Sequence, residues 1–313
     1  MSSPDKTTIA FVGTGVMGRS MAGHLLDAGY QLVVFNRSAD KARELLERGA
    51  RWADSPGAAA SEADIVISMV GYPADVEEIY LVGGGIVERA RQGAVLVDMT
   101  TSSPDLARRI ADTARRRGIT ALDAPVSGGD VGARNATLTI MVGGDAKAFS
   151  RVESVLSIMG SNVILQGDAG AGQHTKMANQ VAIAGSMLAT VESLAYARHA
   201  GLDPRRVLES IGSGAAASWS LANLAPRILD GDFAPGFYVK HFIKDMRIAI
   251  ESADAMGLPL PGLATAKRLY ERLAAHGGND LGTQALWLLY ADDAARRRAG
   301  VDSDVRASST LES

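Results

Sequence analysis

The chain has 313 residues, of which 47% are hydrophobic and 21% charged. Its 32 basic and 35 acidic residues leave a net charge of −3, which argues against a nucleic-acid or membrane-surface binder driven by bulk charge. There is no cysteine, so disulfides, thiolate zinc sites and cysteine nucleophiles are excluded.

The length predicts two domains. The start, MSSPDKTTIAFVG, has no apolar stretch of signal-peptide length, and no apolar run reaches membrane-spanning length free of polar residues. A soluble, cytoplasmic protein with no metal site is expected.

In chain order, residues 7–13 (TTIAFVG) read as a strand and residues 16–29 as a helix ending at Gly29. Residues 30–36 (YQLVVFN) read as the next strand, and 38–49 as the next helix with Ser38 as its N-cap. The apolar runs 63–70, 93–100 and 118–126 continue the series. Apolar strands alternating with helices predict a mostly parallel sheet covered on both faces. Residues 137–144 and 162–167 read as later, peripheral strands. Beyond Gly167 the strand signals stop. Helices are predicted over 170–200, 204–212, about 218–230, 239–256, 260–276 and 284–298. The expected organisation is an α/β domain over 1–167, an all-helical domain over 168–298, and a tail over 299–313 that loses its apolar period and reads as disordered. The long helix starting near Gly170 is expected to join the domains, with its polar start at the cleft between them.

FVGTGVMGRSM places Gly13, Gly15 and Gly18 as G-x-G-x-x-G between the first strand and the first helix. The turn needs Gly13, and Gly15 lets the backbone approach a pyrophosphate. Gly18 permits close helix–strand packing, while the helix start at Val16 and Met17 offers amide donors. A tight strand–helix turn would by itself explain two of the three glycines. The position at the head of a βαβ unit favours dinucleotide binding, and so a Rossmann-type domain. The second strand ends in Asn36, Arg37 and Ser38 where a free ribose 2′-hydroxyl would call for an acid. Arg37 can pair with a 2′-phosphate and Ser38 can touch it. The other reading is an exposed loop arginine beside a helix cap. NADP is the cofactor expected, with NAD possible.

Residues 122–133 (LDAPVSGGDVGA) follow the strand whose end should lie near the nicotinamide, with Asp123 buried there. Ser127, Gly128 and Gly129 offer a hydroxyl and two unhindered amides suited to a carboxylate; an ordinary glycine turn is the alternative. Gln173, Lys176, Asn179 and Gln180 fall at i, i+3, i+6 and i+7 of the long helix, hence on one face. Hydride transfer to a carbonyl leaves an oxyanion that needs a proton, and no histidine stands ready; His174 lies off that face. A lysine held away from water near a second cation can do this work. Asn179, one turn on, can orient substrate or lysine. The alternative is a lysine that merely snorkels from an amphipathic helix.

These residues resemble the β-hydroxyacid dehydrogenase family, which includes 3-hydroxyisobutyrate dehydrogenase and tartronate semialdehyde reductase. The resemblance covers nearly all of residues 7–295 and rests on FVGTGVMG, DMTTSSP, DAPVSGG, GAGQHTKMANQ and FIKDM, in that order. It implies that Lys176 is the catalytic acid/base, assisted by Asn179, and that Ser127, Gly128 and Gly129 hold a substrate carboxylate. It also implies that Thr101 lies beside the nicotinamide, that Met69 and Val70 line the cofactor path, and that Lys244 reaches the cofactor from the helical domain. Gln180 stands where several members carry a second Asn, a form similar to the tartronate semialdehyde reductases. The segment 279–286 (NDLGTQAL) departs from the Asp-x-Ser-Ala-Leu form of other members, which leaves the substrate end least defined. Trp219 either walls the substrate pocket or belongs to the helical core.

The expected activity is interconversion of a small carboxylated aldehyde and its β- or γ-hydroxy acid. An imine reductase is an alternative, but relatives of that kind usually replace the lysine. A 6-phosphogluconate-dehydrogenase-like role is another, but the chain is short for it and lacks the Lys-x-x-His-Asn form. A non-catalytic NADP-binding scaffold should have lost the lysine or the carboxylate loop, and both are intact. A homodimer or homotetramer formed through residues after Gly170 is expected.

Overall fold

The computed structural model describes residues 6–302. The chain divides into two compact units, one ending at Lys176 and the other beginning at Met177. The sequence places this boundary at Gly167; the division falls instead inside the helix Ala171–His199, because its first turns pack on strands of the first unit.

The first unit is an α/β unit built on nine strands: β1 (Thr8–Val12), β2 (Gln31–Phe35), β3 (Arg51–Trp52), β4 (Ile65–Ser68), β5 (Val95–Asp98), β6 (Thr120–Asp123), β7 (Val126–Ser127), β8 (Leu138–Gly143) and β9 (Gly160–Gly167). Their order is β3-β2-β1-β4-β5-β6-β8-β7, with β9 paired to β8. Strands β1 to β6 pair with one another in parallel, and β8 runs antiparallel to β6 and β7. This is the doubly wound order, which reverses between β1 and β4. At such a point the helices leave to opposite faces, and a crevice opens beyond the strand ends.

Alternation explains the two covered faces. Ile9, Phe11, Ile65, Ile67, Val95 and Val97 enter one apolar cluster. Ala10, Val12, Val66 and Leu96 enter the other. The register sets Val12 beside Ser68, Ser68 beside Asp98, and Asp98 beside Asp123. A polar row therefore crosses the carboxyl ends of β4, β5 and β6.

Two local expectations for this unit need correction. Residues 38–49 form a 3-10 turn (Ala39–Ala42) and a short helix (Arg43–Glu47), and Ser38 makes no side-chain cap. The strand at 137–144 is not peripheral: β8 is almost wholly buried and bonds to three strands, while β9 takes the exposed edge. The helix Pro104–Arg115, capped by Ser103 accepting from the Leu106 amide, supplies a covering layer.

The second unit is helical. After the helix that enters it come Pro204–Ile211, Trp219–Asn223, Ala225–Leu229, Val239–Ala255, Pro261–Ala275 and Asp293–Arg298. Its core gathers Met187, Val191, Leu194, Phe242, Met246, Tyr270 and Leu286. Phe242 meets Tyr270 edge-on at 5.1 Å, and the Tyr270 hydroxyl donates to the Thr283 carbonyl at 2.7 Å.

The helix predicted over 284–298 is two elements. Residues Thr283–Leu289 form a fully buried 3-10 segment, and a new helix starts where Asp292 accepts from the Ala295 amide. Arg296 folds back to donate to the Leu288 carbonyl, which joins the two. The ordered chain also outlasts residue 298. Val301 is buried, and the Asp302 amide donates to the His276 carbonyl. The rest of the tail expected to be disordered, residues 303–313, lies outside the described residues. Trp219 is 68% exposed and is not part of the helical core. Among the described residues, no helix is long and apolar enough to cross a membrane.

Candidate active site

The glycine loop leaves β1 at the reversal of strand order. Gly13 has φ +98°, and a Cβ there would stand 2.2 Å from the Met69 carbonyl oxygen. A Cβ at Gly18 would stand 1.9 Å from the Gly13 carbonyl oxygen, so this glycine is what lets the helix sit on the loop. Gly15 differs: a Cβ would meet nothing within 4 Å, which leaves the backbone open to a ligand. The helix Val16–Asp27 has no side-chain cap, and the Thr14 hydroxyl is buried without a hydrogen-bond partner. An open cradle, uncapped helix amides at Val16 and Met17, and an orphaned hydroxyl fit a bound pyrophosphate.

Asn36 ties this loop to the end of β2. It accepts from the Thr14 amide at 3.0 Å and donates to the Ser38 carbonyl at 3.0 Å. Arg37 is 78% exposed, and its guanidinium lies 3.2 Å from the Asp75 carboxylate.

The polar row carries two buried acids. The Ser68 hydroxyl donates to Asp98 at 2.8 Å and lies 2.8 Å from the Tyr80 hydroxyl. The Thr100 amide also donates to Asp98, at 3.1 Å, and the Thr100 hydroxyl accepts from the Val70 amide at 3.0 Å. Burial pushes the Asp98 carboxyl up to about 6; hydrogen bonds from Thr100 and Ser68 restrain the rise and the Asp123 charge adds to it. Burial likewise raises Tyr80 well above the usual phenol range, with the Asp98 charge second.

Asp123 receives the start of the long helix. The Gly170 amide donates to its Oδ1 at 2.7 Å, and the Gln173 amide to its Oδ2 at 2.8 Å. Burial raises this carboxyl, and these amides oppose the rise. The Gln173 side chain accepts from the Ser102 amide at 2.9 Å and donates to the Thr100 carbonyl at 2.8 Å, so it spans Thr101. Lys176, one turn further, is only 6% exposed. Ser127 ends β7, and Gly128 and Gly129 follow with φ of +128° and +61°. The turn alone therefore explains both glycines, as the simpler reading of this loop holds.

In the second unit, Asn179 donates to the Gln180 side chain at 2.8 Å, and Gln180 donates to Asp245 at 2.7 Å. The other Asp245 oxygen lies 3.1 Å from the Lys244 ammonium. Gln180, Lys244 and Asp245 are all buried. Burial, followed by the Lys244 charge, holds His241 below the usual imidazole range.

Within the first unit the predicted residues lie at strand ends: Gly13, Gly15, Val16, Met17 and Gly18 after β1, Asn36, Arg37 and Ser38 after β2, Met69 and Val70 after β4, and Thr101 after β5. Sequence reasoning passed over Ser68, Tyr80, Asp98 and Asp245. For Asp98 the signal was present: like Asp123, it is an acid that closes an apolar strand.

Residues 8–167 match the family model described as the NAD binding domain of 6-phosphogluconate dehydrogenase. Residues 170–290 match the NAD-binding model of NADP-dependent 3-hydroxyisobutyrate dehydrogenase. An uncharacterized oxidoreductase of Bacillus subtilis is 55% identical over 91% of this chain and 99% of its own length. The chain belongs to the β-hydroxyacid dehydrogenase family. The 2-hydroxy-3-oxopropionate reductase of Escherichia coli is 39% identical over 89% of the chain and 95% of its own. The 3-hydroxyisobutyrate dehydrogenase of Mycobacterium tuberculosis, solved with L-serine, superposes with a TM-score of 0.84 at 32% identity, covering 90% of this chain and 98% of that one. This β-hydroxyacid dehydrogenase is accordingly an oxidoreductase with a nicotinamide-binding domain.

The buried acid gives a pH test. Asp98 holds its proton more tightly when folded, since its value rises from 3.8 to about 6. Its ionisation therefore costs stability above about pH 6, and the cost disappears as pH falls below about 4. Asp98→Asn keeps an acceptor and carries no charge. Its stability relative to wild type should be about 1–3 kcal/mol better at pH 8 than at pH 4, read from paired thermal melts. A difference that does not change with pH would mean that Asp98 titrates as an ordinary carboxylate.

Proposed function

We propose that this enzyme reduces a small carboxylated aldehyde with NADPH and, in reverse, oxidises the matching β- or γ-hydroxy acid. The observation that carries the reading is the seating of Lys176. It is buried on a helix start bonded to Asp123, and the Ser127–Gly129 loop follows that same strand end. When bound, the nicotinamide supplies or accepts the hydride. The chain's part is the proton. The Lys176 ammonium donates to the carbonyl oxygen as it gains charge, and the neutral amine takes the alcohol proton in reverse. The Ser127 hydroxyl and the Gly128 and Gly129 amides bind the substrate carboxylate, and Asn179 assists. Thr101, Met69 and Val70 would border the nicotinamide, and Lys244 is assigned to the cofactor by the family resemblance. The names of the Escherichia coli and Mycobacterium tuberculosis relatives support a short β-hydroxy acid or its aldehyde. A screen of NADPH oxidation with glyoxylate, 2-hydroxy-3-oxopropionate, succinic semialdehyde and methylmalonate semialdehyde tests the substrate class; no turnover with any of them would sink it.

Lys176→Ala should lower kcat by about 10²–10⁴ while NADPH affinity, read by fluorescence titration, stays within a few-fold. Lys176→Arg should not rescue, because arginine does not release its proton near neutral pH. A mutant with normal kcat and raised KM would make Lys176 a binding residue.

The preference for NADP rests on Asn36, Arg37 and Ser38. Arg37→Ala should weaken NADPH by about 1.5–3 kcal/mol and leave NADH nearly unchanged. Asp75 competes for the same guanidinium. Asp75→Asn, which can still accept from the Tyr72 amide, should tighten NADPH by about two- to fivefold. Equal losses of both cofactors in Arg37→Ala would refute the assignment.

A homodimer or homotetramer through residues after Gly170 completes the reading. Tyr196, Met256 and Leu258 of the helical unit are large apolar side chains left exposed, which supports burial against another copy. Light scattering at micromolar concentration should give a multiple of the chain mass; a monomer would contradict it.

A further inference from the structure

We propose that Gln173 is a positioning residue for the reaction, holding Lys176 at a set distance from the segment that carries Thr101. This rests on the reading of Lys176 as the acid/base. Gln173 is fully buried, its backbone amide is committed to one strand end, and both its side-chain groups are committed to the segment after another. Its backbone amide donates to Asp123 at the end of β6. Its side-chain oxygen accepts from the Ser102 amide, and its side-chain nitrogen donates to the Thr100 carbonyl.

The two side-chain bonds have opposite polarity. They go to the backbone on either side of Thr101, so only one orientation of the amide satisfies both. A carboxylate would set an oxygen against the Thr100 carbonyl, and an apolar side chain would abandon both groups. The helix can come this close because Gly172 and Gly143 lack side chains. A Cβ at Gly172 would stand 2.4 Å from the Met141 carbonyl oxygen, and one at Gly143 would stand 2.6 Å from the Gly172 nitrogen.

Other bonds keep the Thr101 segment folded without Gln173. The Thr100 amide is held by Asp98, and its hydroxyl by the Val70 amide. The Gly170 and Gln173 amides are received by Asp123 without help from the Gln173 side chain. What Gln173 adds is a direct tie between that segment and the helix one turn before Lys176. Residues three apart share a helix face, so an error at Gln173 is passed to Lys176. Misplacement of a reacting group by about 1 Å can cost about 10²-fold in rate.

The test compares wild type, Gln173→Met, Gln173→Glu, Lys176→Ala and the double variant Gln173→Met/Lys176→Ala. In the cofactor-free protein, amide hydrogen exchange at Ser102 should quicken at least about tenfold in Gln173→Met, while the Gly170 amide on Asp123 stays protected. Unchanged protection at Ser102 would overturn the tie. With NADPH and 2-hydroxy-3-oxopropionate as probe, Gln173→Met should lower kcat by about 10- to 100-fold, with KM and NADPH affinity changed less than about threefold. The isotope effect with 4-deuterated NADPH should rise, which a mere loss of folded protein would not produce. Gln173→Glu, which keeps the bond to Ser102, should also lose kcat and guards against a misfolded methionine variant. The double variant should be no slower than Lys176→Ala alone; multiplied losses would mean that Gln173 acts apart from Lys176 and would refute the proposal. If Lys176→Ala keeps full kcat, the acid/base reading falls, and this inference with it. If Lys176→Ala is inactive and both Gln173 variants turn over normally, only the inference falls.

Discussion

A buried carboxylate receiving the start of a helix is the constraint on which the site depends. The first amides of any helix lack partners within it, and together they carry a partial positive charge. A buried carboxylate without partners is costly by several kcal/mol, roughly. At Asp123 each need answers the other: two amides of the helix Ala171–His199 donate to its two oxygens. The favourable dipole adds about 0.3–2 kcal/mol. Lys176 is on the next turn, so the catalytic candidate inherits its position from this bond pair.

The neighbouring acid is built differently. Asp98 has two hydroxyls and one amide within reach, and these donors, on Ser68 and Thr100, are not helix amides. Burial therefore dominates, and its carboxyl rises to about 6. It bonds the Ser68 hydroxyl and the Thr100 amide, and the Thr100 hydroxyl in turn accepts from the Val70 amide, which ties the end of β4 to the segment after β5. A polar row lies under the candidate site where an apolar row would pack more cheaply. What the polar row adds is direction, since hydrogen bonds fix backbone orientation as apolar contacts do not.

The helical unit contains a second ordered chain, from Asn179 through Gln180 and Asp245 to Lys244. A buried ion pair is weak evidence for stability, and here it makes better sense as a way to hold Asn179 and Lys244, the two side chains proposed for the site, in fixed rotamers. The fold itself is shared by enzymes of several chemistries, so it says little about the reaction. The residues named above, and the family to which the chain belongs, carry the functional argument.

Much of the architecture was legible in the residues. Apolar runs of strand length alternating with helical periods marked the parallel strands, because that pattern follows from local backbone geometry and burial on two faces. The spacing of Gly13, Gly15 and Gly18 was equally legible: Gly13 and Gly18 answer steric demands of the turn, and Gly15 leaves its backbone open. Other features were not. Ser38 had the right chemistry for a cap and makes none. The run 284–298 had helical composition, yet its first half is a buried 3-10 segment joined to the next helix by Arg296. Arg37 faces Asp75, Gln173 reaches across to Thr100 and Ser102, and Asp98 meets Tyr80 through Ser68. By itself the sequence determined the elements, the nucleotide loop and the residue types available for chemistry, because those depend on neighbours within a few positions. Only the tertiary structure decided which buried polar groups satisfy one another. Their partners lie tens of residues away, and they meet only when the strand order and register bring them together.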